Sequence, residues 1–593
     1  MRTALLFLPG APSADANAPG FPERLVSDLR TQLGELGYDD LRCVDAAAPP
    51  ETIESSLVDA AGQGRELLLV DARLVAHTSA LRALTGDPRT VDGMLVSSTG
   101  ARSEHRAVRI DRGLVVGLSS PLHEPLTANV EGVGVCRVGP GLAASLPAGL
   151  ADLRDRIGDV AMAEGLAEDP VATLAAVLVG AGARLGAVDV RGLVADRAED
   201  PEEAVLAIER REAVDEDRAW LDAAVKARDG WFTTFLVSPY TRFWARWAAR
   251  RGFTPNQVTS ASMMVGLLAA LCFASGVRWA VVLGAIALQL SFSLDCVDGQ
   301  LSRYTQRFSA FGGWLDSTFD RLKETLVYTG LAVWGARIGD PAVWGLAAAT
   351  LSFQAIRHVI DFEFSAHRPP PSPNAPRVRT AQGSTALGSA GESQGRVLSA
   401  AGAAEGRPVL RWGKRMIVFP IGERFAVISV TAAFATPRVT FVVLLVWGTV
   451  AFGYTLAGRL LRARRWGEGR WRWLATPGVR ALEYGTLLFA GLLVEDAGPA
   501  AYAALAVLVT RHYDEVYRTK ALGPAAVKRR LPPWWLTVAI VAVASFTGTV
   551  VPVLWSVTGL LGVATVGGAI RAWARAGITA GHRPGDIEDE EGV

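Results

Sequence analysis

Apolar and polar positions divide the chain into two parts with different patterns. Up to about residue 227, short apolar runs alternate with polar and amphipathic stretches, and none is long enough to cross a bilayer. Farther along, apolar runs of membrane-spanning length follow one another between polar loops. This pattern predicts about ten membrane helices. The predicted spans are residues 258–277, 279–300, 317–337, 341–362, 424–437, 438–460, 479–494, 497–513, 533–551 and 553–573.

The first part of the chain is predicted to be a soluble α/β domain over residues 1–196. A short apolar run, a Gly/Pro-rich loop, an amphipathic helix and a second apolar run follow one another there. The predicted strands are Ala4–Leu8, Leu41–Val44, Leu67–Val70 and Val108–Val116, and the predicted helix is Pro22–Leu36. The predicted fold class is therefore a soluble α/β domain followed by an all-α polytopic membrane domain.

Residues 197–257 are predicted to connect the soluble domain to the membrane. The acidic, basic and alanine residues of 197–228 predict one long solvated helix. Aromatic and arginine side chains then alternate, which is typical of an amphipathic helix in the interface of an anionic leaflet. These side chains are Arg242, Phe243, Trp244, Arg246, Trp247, Arg250 and Arg251.

The polar loops orient the predicted membrane part. Clusters of Arg and Lys fall in alternate loops, so the positive-inside rule predicts that these loops and both termini are cytoplasmic. The Pro, Gly, Ser and Ala content of residues 365–411 predicts a disordered loop. Residues 479–575 are interpreted as additional helices for packing, dimerisation or regulation, and residues 576–593 as an acidic tail.

Composition and charge argue against several classes of protein. Half of the residues are hydrophobic and the net charge is +1, which favours a membrane protein and gives no case for nucleic-acid binding. The cysteines are Cys43, Cys136, Cys272 and Cys296. Because their spacing is not paired, we expect reduced thiols and neither a disulfide framework nor a zinc site. A signal peptide is not expected, because the first apolar run is too short.

Four carboxylates lie between the second and third predicted spans, in the stretch DCVDGQLSRYTQRFSAFGGWLDSTFD. Asp295 and Asp298 are three residues apart, and Asp316 and Asp320 are four apart, so each pair lies on one helix face. A charge at membrane depth costs between about 3 and 10 kcal/mol unless it is paired, hydrated or bound to metal. Two such faces brought together predict an oxygen-rich site for divalent cations.

Small and basic residues between these acids suit a phosphate ligand. Gly299 and Gly312 permit close approach of a ligand or a neighbouring helix, and Arg303 can form a bidentate contact with phosphate. The spacing D-x2-D-G-x2-(A)-R-x8-G-x3-D-x3-D resembles the signature of the CDP-alcohol phosphotransferase family of integral membrane enzymes. Ser302 stands where that family usually has Ala.

The resemblance implies a six-helix catalytic bundle, here within residues 258–461. Such enzymes transfer a substituted phosphate from a CDP-alcohol, such as CDP-diacylglycerol, to an alcohol and release CMP. The resemblance implies two divalent ions, Mg²⁺ or Mn²⁺, held by Asp295, Asp298, Asp316 and Asp320, with Asp320 also acting as the general base. It implies contacts with the donor from Asn256, Thr259, Gly299, Ser302, Arg303, Ser309 and Gly312.

Two of these donor assignments have structural alternatives. Residues 255–259, PNQVT, are similar to the P-N-x-x-T turn that contacts the nucleotide in that family. A plain turn in which Thr caps the first membrane helix accounts for them equally well. For Ser309, an ordinary hydroxyl on a helix is the alternative.

Basic residues near the fourth and fifth spans are candidates for acceptor binding. Arg357, Arg415 and Arg424 could hold an anionic acceptor such as an inositol phosphate, because intramembrane Arg usually faces an interior cavity. Snorkelling to the headgroups, or pairing with a nearby acid, explains them as well. The nearby acids are Asp361, Glu363 and Glu423.

The soluble domain superficially resembles a sugar-nucleotide or MobA-like nucleotidyltransferase. The G-x-G-T-R motif and the following Lys of such enzymes are absent, and the first lysine of the chain is Lys226. Asp71 ends the LLLVD strand where a metal ligand is expected, but it stands without phosphate-binding partners. The sequence therefore favours a degenerate, non-catalytic or regulatory domain.

Two hypotheses for the whole chain follow from these features. The first is a metal-dependent enzyme of the cell membrane, with its site on the cytoplasmic side. Two copies of this enzyme could form a homodimer. The second is a non-enzymatic scaffold or cation-binding transporter. The spans carry no evident internal repeat of the kind that transporters have, and the set of acids, glycines and arginine favours the enzyme.

Overall fold

The structure is a computed structural model of the chain. It describes residues 2–9, 23–61, 64–87, 90–98, 106–122, 129–189, 192–226, 229–369, 412–413, 416–464, 466–467, 469–523 and 534–576. The chain divides into two compact units, one built on the residues up to Ala224 and the other on those from Val225 onward. Most of the predicted disordered loop, residues 370–411, and the predicted tail from residue 577 lie outside the described residues.

A mixed eight-stranded sheet forms the centre of the first unit. The strands are β1 (Arg2–Leu8), β2 (Asp40–Asp45), β3 (Glu66–Asp71), β4 (Leu74–Ala76), β5 (Gly93–Ser97), β6 (Ala107–Asp111), β7 (Leu114–Leu118), β8 (Val130–Val138), β9 (Gly186–Asp189) and β10 (Ala195–Arg197). Their order is β2-β1-β3-β8-β5-β9-β7-β6, and β4 pairs with β10 separately. Strand β1 runs parallel to β2 and β3, whereas β8 is antiparallel to β3 and β5.

Helices pack against this sheet and complete its core. They are α1 (Glu23–Glu35), α2 (Pro50–Ala61), α3 (Thr78–Gly86), α4 (Pro140–Ala143), α5 (Leu146–Ile157), α6 (Asp159–Glu168), α7 (Pro170–Gly180), α8 (Pro201–Ala213) and α9 (Glu216–Ala223). Alternate residues of β1 and β3, such as Leu5 and Leu67, share one apolar cluster with Ile53 and Leu57 of α2. The predicted α/β class of this domain is confirmed.

The prediction of a single strand over Val108–Val116 is wrong. The segment forms a hairpin of β6 and β7, in which Val108 pairs with Leu118. Arg112 and Gly113 connect the two strands, and both have positive φ, 53° and 72°. Two consecutive residues with positive φ are typical of the tight turns that join antiparallel strands, so the Arg-Gly pair reverses the chain here.

The prediction of one long helix over residues 197–228 is also wrong. The segment begins in β10 and continues as α8 and α9. Val214 leaves the helical conformation, and the side chain of Asp215 accepts a hydrogen bond from the backbone of Arg218 to begin the second helix. Because α8 buries Ala204 and Ala207, it packs within the first unit and is not fully solvated.

The second unit is helical throughout its described length. A short π-helix, Thr233–Val237, leads into α10 (Ser238–Arg250), which leaves Phe243 and Trp247 more than half exposed. The helices that follow are α11 (Pro255–Ser275), α12 (Arg278–Thr305), α13 (Ala310–Arg337), α14 (Val343–His367), α15 (Ile421–Phe434), α16 (Pro437–Ala463), α17 (Ala475–Leu493), α18 (Gly498–Leu522), α19 (Trp534–Thr547) and α20 (Val550–Ala576).

Helices α11 to α20 lie at the positions of the ten predicted spans. Among the described residues, four of them are long and apolar enough to cross a membrane by length and composition. These four are α11, α12, α16 and α20. The other six fall short in length or hydropathy, or carry more charged residues. The protein is a membrane protein with a soluble α/β domain ahead of its helical part.

Capping residues set the ends of the helices that carry the predicted site. Thr254 accepts a hydrogen bond from the backbone of Gln257, whose side chain accepts one from the backbone of Thr254, so α11 starts with a capping box. Gly276, in the left-handed region at φ 69°, ends α11. The side chain of Ser309 caps α13 by accepting a hydrogen bond from the backbone of Gly312 at 2.9 Å.

Helices α11 and α13 touch backbone to backbone. A Cβ atom placed on Gly330 of α13 would lie 2.3 Å from the carbonyl oxygen of Ala270 on α11. Gly266 of α11 is also closely packed, because a Cβ atom there would be 3.0 Å from the side chains of Lys323 and Ser291. Glycine at these positions lets the helices approach more closely than side chains would allow.

Candidate active site

Three carboxylates from two helices meet in the interior of the second unit. Asp295 lies in the second half of α12, and Asp316 and Asp320 lie in the first half of α13. One carboxylate oxygen from each of the three lies within 4.8 Å of the others. The sequence prediction that the two acidic helix faces come together is therefore realised for these three residues.

Asp298 lies beside this group but outside the set of three. It is 4 % exposed and accepts a hydrogen bond of 2.6 Å from the hydroxyl of Thr259. Thr259 also donates to the carbonyl of Pro255 at 3.1 Å. The hydroxyl thus links the first turns of α11 to the acidic end of α12, and it does not cap α11, because Thr254 has that role.

A buried lysine that the sequence interpretation missed lies among the carboxylates. The ammonium group of Lys323 contacts Asp295 and lies 3.0 Å from Asp320 and 3.0 Å from the hydroxyl of Ser262. Its side chain is 1 % exposed. The available signal was a lysine three residues after Asp320, within an apolar segment where an unpaired ammonium group is costly. Its charge offsets part of the repulsion between the acids.

The donor set of this group fits a hard divalent cation. Carboxylate oxygens from Asp295, Asp316 and Asp320 converge, and Mg²⁺ and Mn²⁺ prefer oxygen ligands. Like charges this close together repel one another, and a bound cation would offset that repulsion. The acidic group can therefore hold a metal ion.

Glycine at position 312 is required by the packing of the first turn of α13. A Cβ atom there would lie 2.6 Å from the side-chain oxygen of Asn256 and 2.9 Å from the hydroxyl of Ser309. Three residues that the sequence assigned to donor binding are thus neighbours. Ser309 also caps α13.

Gly299 lies beside the guanidinium group of Arg303 in the last turns of α12. A Cβ atom on Gly299 would be 3.5 Å from the guanidinium nitrogens of Arg303, an ordinary contact distance. Ser302 donates a hydrogen bond of 2.9 Å to the carbonyl of Gly299, which turns its hydroxyl back onto the helix. Glycine at position 299 is therefore not required by packing within the chain, in contrast to Gly312.

The acceptor candidates Arg357 and Arg424 are both buried. Arg424 donates to Glu324 at 2.9 Å and to the carbonyl of Phe419 at 3.0 Å, so its acid partner is a residue that the sequence interpretation did not consider. Arg357 donates to the carbonyl of Val418 through one terminal nitrogen. Its other terminal nitrogen, Nη1, has no hydrogen-bond partner among the described residues.

The remaining acceptor assignments have different outcomes. Arg415 lies outside the described residues. Asp361, considered as a partner for the buried arginines, pairs with Arg459. Glu423 accepts a hydrogen bond of 3.2 Å from the backbone of Phe232. Neither Arg357 nor Arg424 reaches toward the surface, so snorkelling does not describe their positions.

Asp71, the candidate metal ligand of the soluble unit, is enclosed by arginines. It is 1 % exposed and accepts hydrogen bonds from Arg73 at 2.8 and 2.9 Å and from Arg197 at 2.7 Å. Burial alone would raise the pKa of this carboxyl, but the charges of Arg197 and Arg73 outweigh it and hold the pKa below its usual value. Both oxygens of Asp71 are therefore engaged in ion pairs.

Comparison with known proteins identifies the segment that carries the acids. Residues 253–387 match the sequence profile of the CDP-alcohol phosphatidyltransferase family. This segment is a CDP-alcohol phosphatidyltransferase domain. It includes α11 to α14 and with them Asn256, the acidic group and Arg357. Arg424 and helices α15 to α20 lie beyond the matched residues.

Curated relatives match shorter parts of the chain. An archaetidylinositol phosphate synthase of Pyrococcus horikoshii is 40% identical over 87 residues, 15% of this chain and 45% of that protein. A phosphatidylinositol phosphate synthase of Streptomyces avermitilis is 32% identical over 131 residues, 22% of this chain and 50% of that protein. A bifunctional IPC transferase and DIPP synthase of Aquifex aeolicus is 35% identical over 96 residues, 16% of this chain and 22% of that protein. The chain spans about half or less of the length of these relatives.

A solved structure is similar to another part of the chain. It is the inositol-1-phosphate CTP transferase from T. maritima, at 14% identity and a TM-score of 0.25. The similarity covers 36% of this chain and 98% of that structure. The α/β fold of the first unit is established by its own strand order.

Proposed function

We propose that the protein transfers a substituted phosphate from a CDP-alcohol, such as CDP-diacylglycerol, to an inositol phosphate or a similar phosphorylated polyol, releasing CMP. The observation that carries this proposal is the convergence of Asp295, Asp316 and Asp320 within the phosphatidyltransferase domain. Two of the relatives, the archaetidylinositol phosphate synthase and the phosphatidylinositol phosphate synthase, support the class of acceptor by their names.

Two divalent ions, Mg²⁺ or Mn²⁺, would be held by Asp295, Asp298, Asp316 and Asp320. When bound, they would supply the positive charge that phosphoryl transfer requires at the phosphate oxygens. Asp298 lies next to the three convergent carboxylates and is oriented by the hydroxyl of Thr259. That hydrogen bond leaves its second oxygen available as a ligand.

Asp320 is proposed as the general base. The acceptor hydroxyl forms a bond to the phosphorus that carries the donor's alcohol, and its proton passes to the carboxylate of Asp320. The bond from that phosphorus to the bridging oxygen of CMP breaks, and CMP leaves with the electron pair. The ammonium group of Lys323, 3.0 Å from Asp320, favours the ionised carboxylate that this step needs.

The donor is proposed to lie along α11, the end of α12 and the first turn of α13. Gly299 places no side chain beside Arg303, and a guanidinium group there suits a phosphate of the donor. The other donor residues are Asn256, Thr259, Ser302, Ser309 and Gly312. The contact between Gly312 and Asn256 supports this assignment, because it joins two of the three helices at one point.

The acceptor phosphate is proposed to bind near Arg357 and Arg424, with Arg415 as a further candidate. The buried Nη1 of Arg357 points to a ligand, because a guanidinium nitrogen left without a partner inside a protein is costly. Phosphate oxygens are suitable acceptors for it.

The soluble domain, residues 1–196, is proposed to be non-catalytic or regulatory. The engagement of Asp71 by two guanidinium groups supports this proposal, because a metal ion would have to displace both. The full-length protein, supplied with CTP and inositol 1-phosphate, is expected to release no pyrophosphate. Pyrophosphate release that is lost in Asp71→Asn would contradict the proposal.

The site is proposed to face the cytoplasm at the cell membrane. Arg and Lys clusters in alternate loops support this orientation, and CDP-activated donors would then reach the site from the cytoplasmic leaflet.

The decisive experiment measures CMP release by the purified protein with CDP-diacylglycerol and Mn²⁺ or Mg²⁺. Inositol 1-phosphate, inositol and glycerol 3-phosphate are compared as acceptors. We expect release that requires both the metal and the phosphorylated polyol, and a loss of about 100-fold or more in Asp320→Asn.

The matched control is Asp340→Asn, which removes an acid beyond the far end of α13 that pairs with Arg438. This variant is expected to retain activity. The proposed function is contradicted if the wild-type protein releases no CMP with any donor, or if turnover is unchanged in Asp320→Asn. Cation binding without any CMP release would instead support a scaffold or transporter.

A further inference from the structure

Helix α18 contacts the acidic helix although it lies outside the phosphatidyltransferase domain. Tyr517 accepts a hydrogen bond of 3.3 Å from Nε of Arg321, the residue that follows Asp320. The guanidinium group of Arg321 also lies over the ring of Tyr513, at 5.9 Å. Both tyrosines are 3 % exposed. Residues almost two hundred positions apart in sequence are thus joined beside the proposed general base.

A second contact from α18 reaches the acceptor side. The hydroxyl of Tyr513 lies 2.7 Å from Nδ1 of His358, the residue that follows Arg357. The other ring nitrogen of His358 lies 3.0 Å from the side-chain nitrogen of Gln354. The imidazole is therefore held at both nitrogens, one of them by α18.

Two further contacts of α18 also reach residues that lie close in sequence to charged residues of the site. Asp514 of α18 accepts a hydrogen bond of 3.0 Å from the indole of Trp314, two residues before Asp316. Tyr502 donates a hydrogen bond of 3.0 Å to the carbonyl of Thr325, the residue after Glu324. Each contact is thus made one or two residues from a carboxylate or arginine of the site.

We propose that α18 positions the acceptor side of the active site, with Tyr513 and Tyr517 as its principal positioning residues. The two hydroxyls hold His358 and Arg321, and so fix the helix turns from which Arg357 and Asp320 project. The inference rests on the proposed function, and it gives one of the last four helices a role in the binding of the phosphorylated acceptor.

The geometry of Tyr513 and Tyr517 predicts an effect on the acceptor and none on the donor. The contacts of these two hydroxyls reach the α13 and α14 turns beside Asp320 and Arg357, whereas the donor residues of α11 and α12 contact other partners. If the tyrosines served only to pack α18, their loss would lower stability and would affect both substrates alike. A rise in the KM for the acceptor without a rise in the KM for the donor therefore distinguishes a positioning role from a packing role.

The test uses Tyr513→Phe and Tyr517→Phe in the full-length protein, which remove the hydroxyls and keep the rings. In each we expect the KM for inositol 1-phosphate to rise about tenfold, with the KM for CDP-diacylglycerol unchanged. The matched control is Tyr484→Phe, because Tyr484 is a fully buried tyrosine of α17 whose hydroxyl has no hydrogen-bond partner among the described residues. This control is expected to leave both KM values unchanged.

The outcomes distinguish this inference from the proposed function. Equal changes in both KM values, no change in either, or the same effect in Tyr484→Phe would overturn the role of α18. Wild-type protein that releases no CMP with any phosphorylated polyol would overturn the proposed function, and this inference with it. Thermal unfolding of each variant in detergent confirms that the kinetic values refer to folded protein.

Discussion

The ammonium group of Lys323 lies 3.0 Å from the carboxylate of Asp320, its neighbour one turn earlier on α13. The same group contacts Asp295 on α12. One lysine thus joins the two helices at the point where their acids meet. Its positive charge stabilises the cluster, and it also competes with any divalent cation that the same carboxylates bind.

Replacing Lys323 with Met is expected to make the fold dependent on a divalent cation. Without the ammonium group, the free energy of unfolding in EDTA should fall by about 3–5 kcal/mol, because buried carboxylates lose their partner. The apparent affinity for Mn²⁺ should rise about tenfold or more, because a competing charge is removed. Thermal unfolding in detergent, with Mn²⁺ titrated against EDTA, measures both effects.

The control for Lys323 is Lys520→Met, since Lys520 lies 4.6 Å from the ring centre of Phe362 on α14. Its loss should leave the response to Mn²⁺ unchanged. If Lys323→Met melts as the wild type does in EDTA and gains nothing from Mn²⁺, the metal assignment of these acids is wrong.

The two glycines of the acidic stretch are expected to respond differently to alanine. In Gly312→Ala the new methyl group would collide with Asn256 at 2.6 Å, so stability should fall by about 1–3 kcal/mol and CMP release about tenfold or more. In Gly299→Ala the methyl group meets Arg303 at an ordinary 3.5 Å, and alanine favours the helix.

Gly299→Ala should therefore melt at or above the wild-type temperature, while its KM for CDP-diacylglycerol rises, because the methyl group lies beside Arg303, where the donor phosphate is proposed to bind. Melting curves and donor titrations of both variants test this contrast. A destabilised Gly299→Ala, or a wild-type donor KM in it, would show that the donor does not bind beside Gly299.

Arg357 is expected to bind the acceptor through Nη1, the guanidinium nitrogen that has no hydrogen-bond partner among the described residues. Changing it to Gln should raise the KM for inositol 1-phosphate between about 10- and 100-fold, because a charge-assisted contact with phosphate is lost. The KM for CDP-diacylglycerol should stay constant. The control is Arg278→Gln. Arg278 lies at the start of α12, away from its acidic residues, and donates hydrogen bonds to one carbonyl in α15 and to one just after that helix. An equal rise in the KM for inositol 1-phosphate in the two variants would argue against an acceptor role for Arg357.

The soluble unit is expected to lose stability in acid through Glu66. This carboxylate accepts hydrogen bonds of 2.8 Å from both Arg137 and Tyr38. Burial alone would raise the pKa of Glu66, but the hydrogen bond and charge of Arg137 outweigh it and hold the pKa below its usual value. A lowered pKa means that the ionised group stabilises the fold above its ordinary pKa, and that this contribution is lost as the pH falls through the lowered value.

Glu66→Gln should therefore destabilise β3 by about 1–2 kcal/mol at pH 7, and the difference from wild type should shrink below about pH 4. Hydrogen exchange of the β1 and β3 amides in the full-length protein measures this. Glu51→Gln, at an exposed glutamate of α2 that lies 3.5 Å from Arg154, should change little at either pH. If the stability difference between Glu66→Gln and the wild type grew as the pH fell, the assignment of a lowered pKa to Glu66 would be contradicted.

The sequence predicts those features that depend on local spacing. The acids at 295, 298, 316 and 320 follow helical periodicity, so their two faces could be recognised before the helices were placed. Apolar runs located the helices of the second unit in the same way. The hairpin at Arg112 and Gly113 was missed, because a two-residue reversal interrupts an apolar run without changing its character.

Partners across helices could not be predicted. The pairing of Arg424 with Glu324 depends on how α13 and α15 are rotated about their axes, and nearer acids in the sequence were equally plausible. The contact of Arg321 with Tyr517 joins positions 196 residues apart, which no local pattern records. Lys323 carried a signal, an intramembrane charge, but its partners were set by the approach of α12 to α13.

The backbone contact of Gly330 with Ala270 sets the spacing of α11 and α13. A side chain at position 330 would force the two helices apart, because a Cβ atom there would lie 2.3 Å from the carbonyl oxygen of Ala270. Asn256 and Asp316 lie on these same two helices. A larger residue at position 330 would therefore change how these two residues are placed, although it contacts neither.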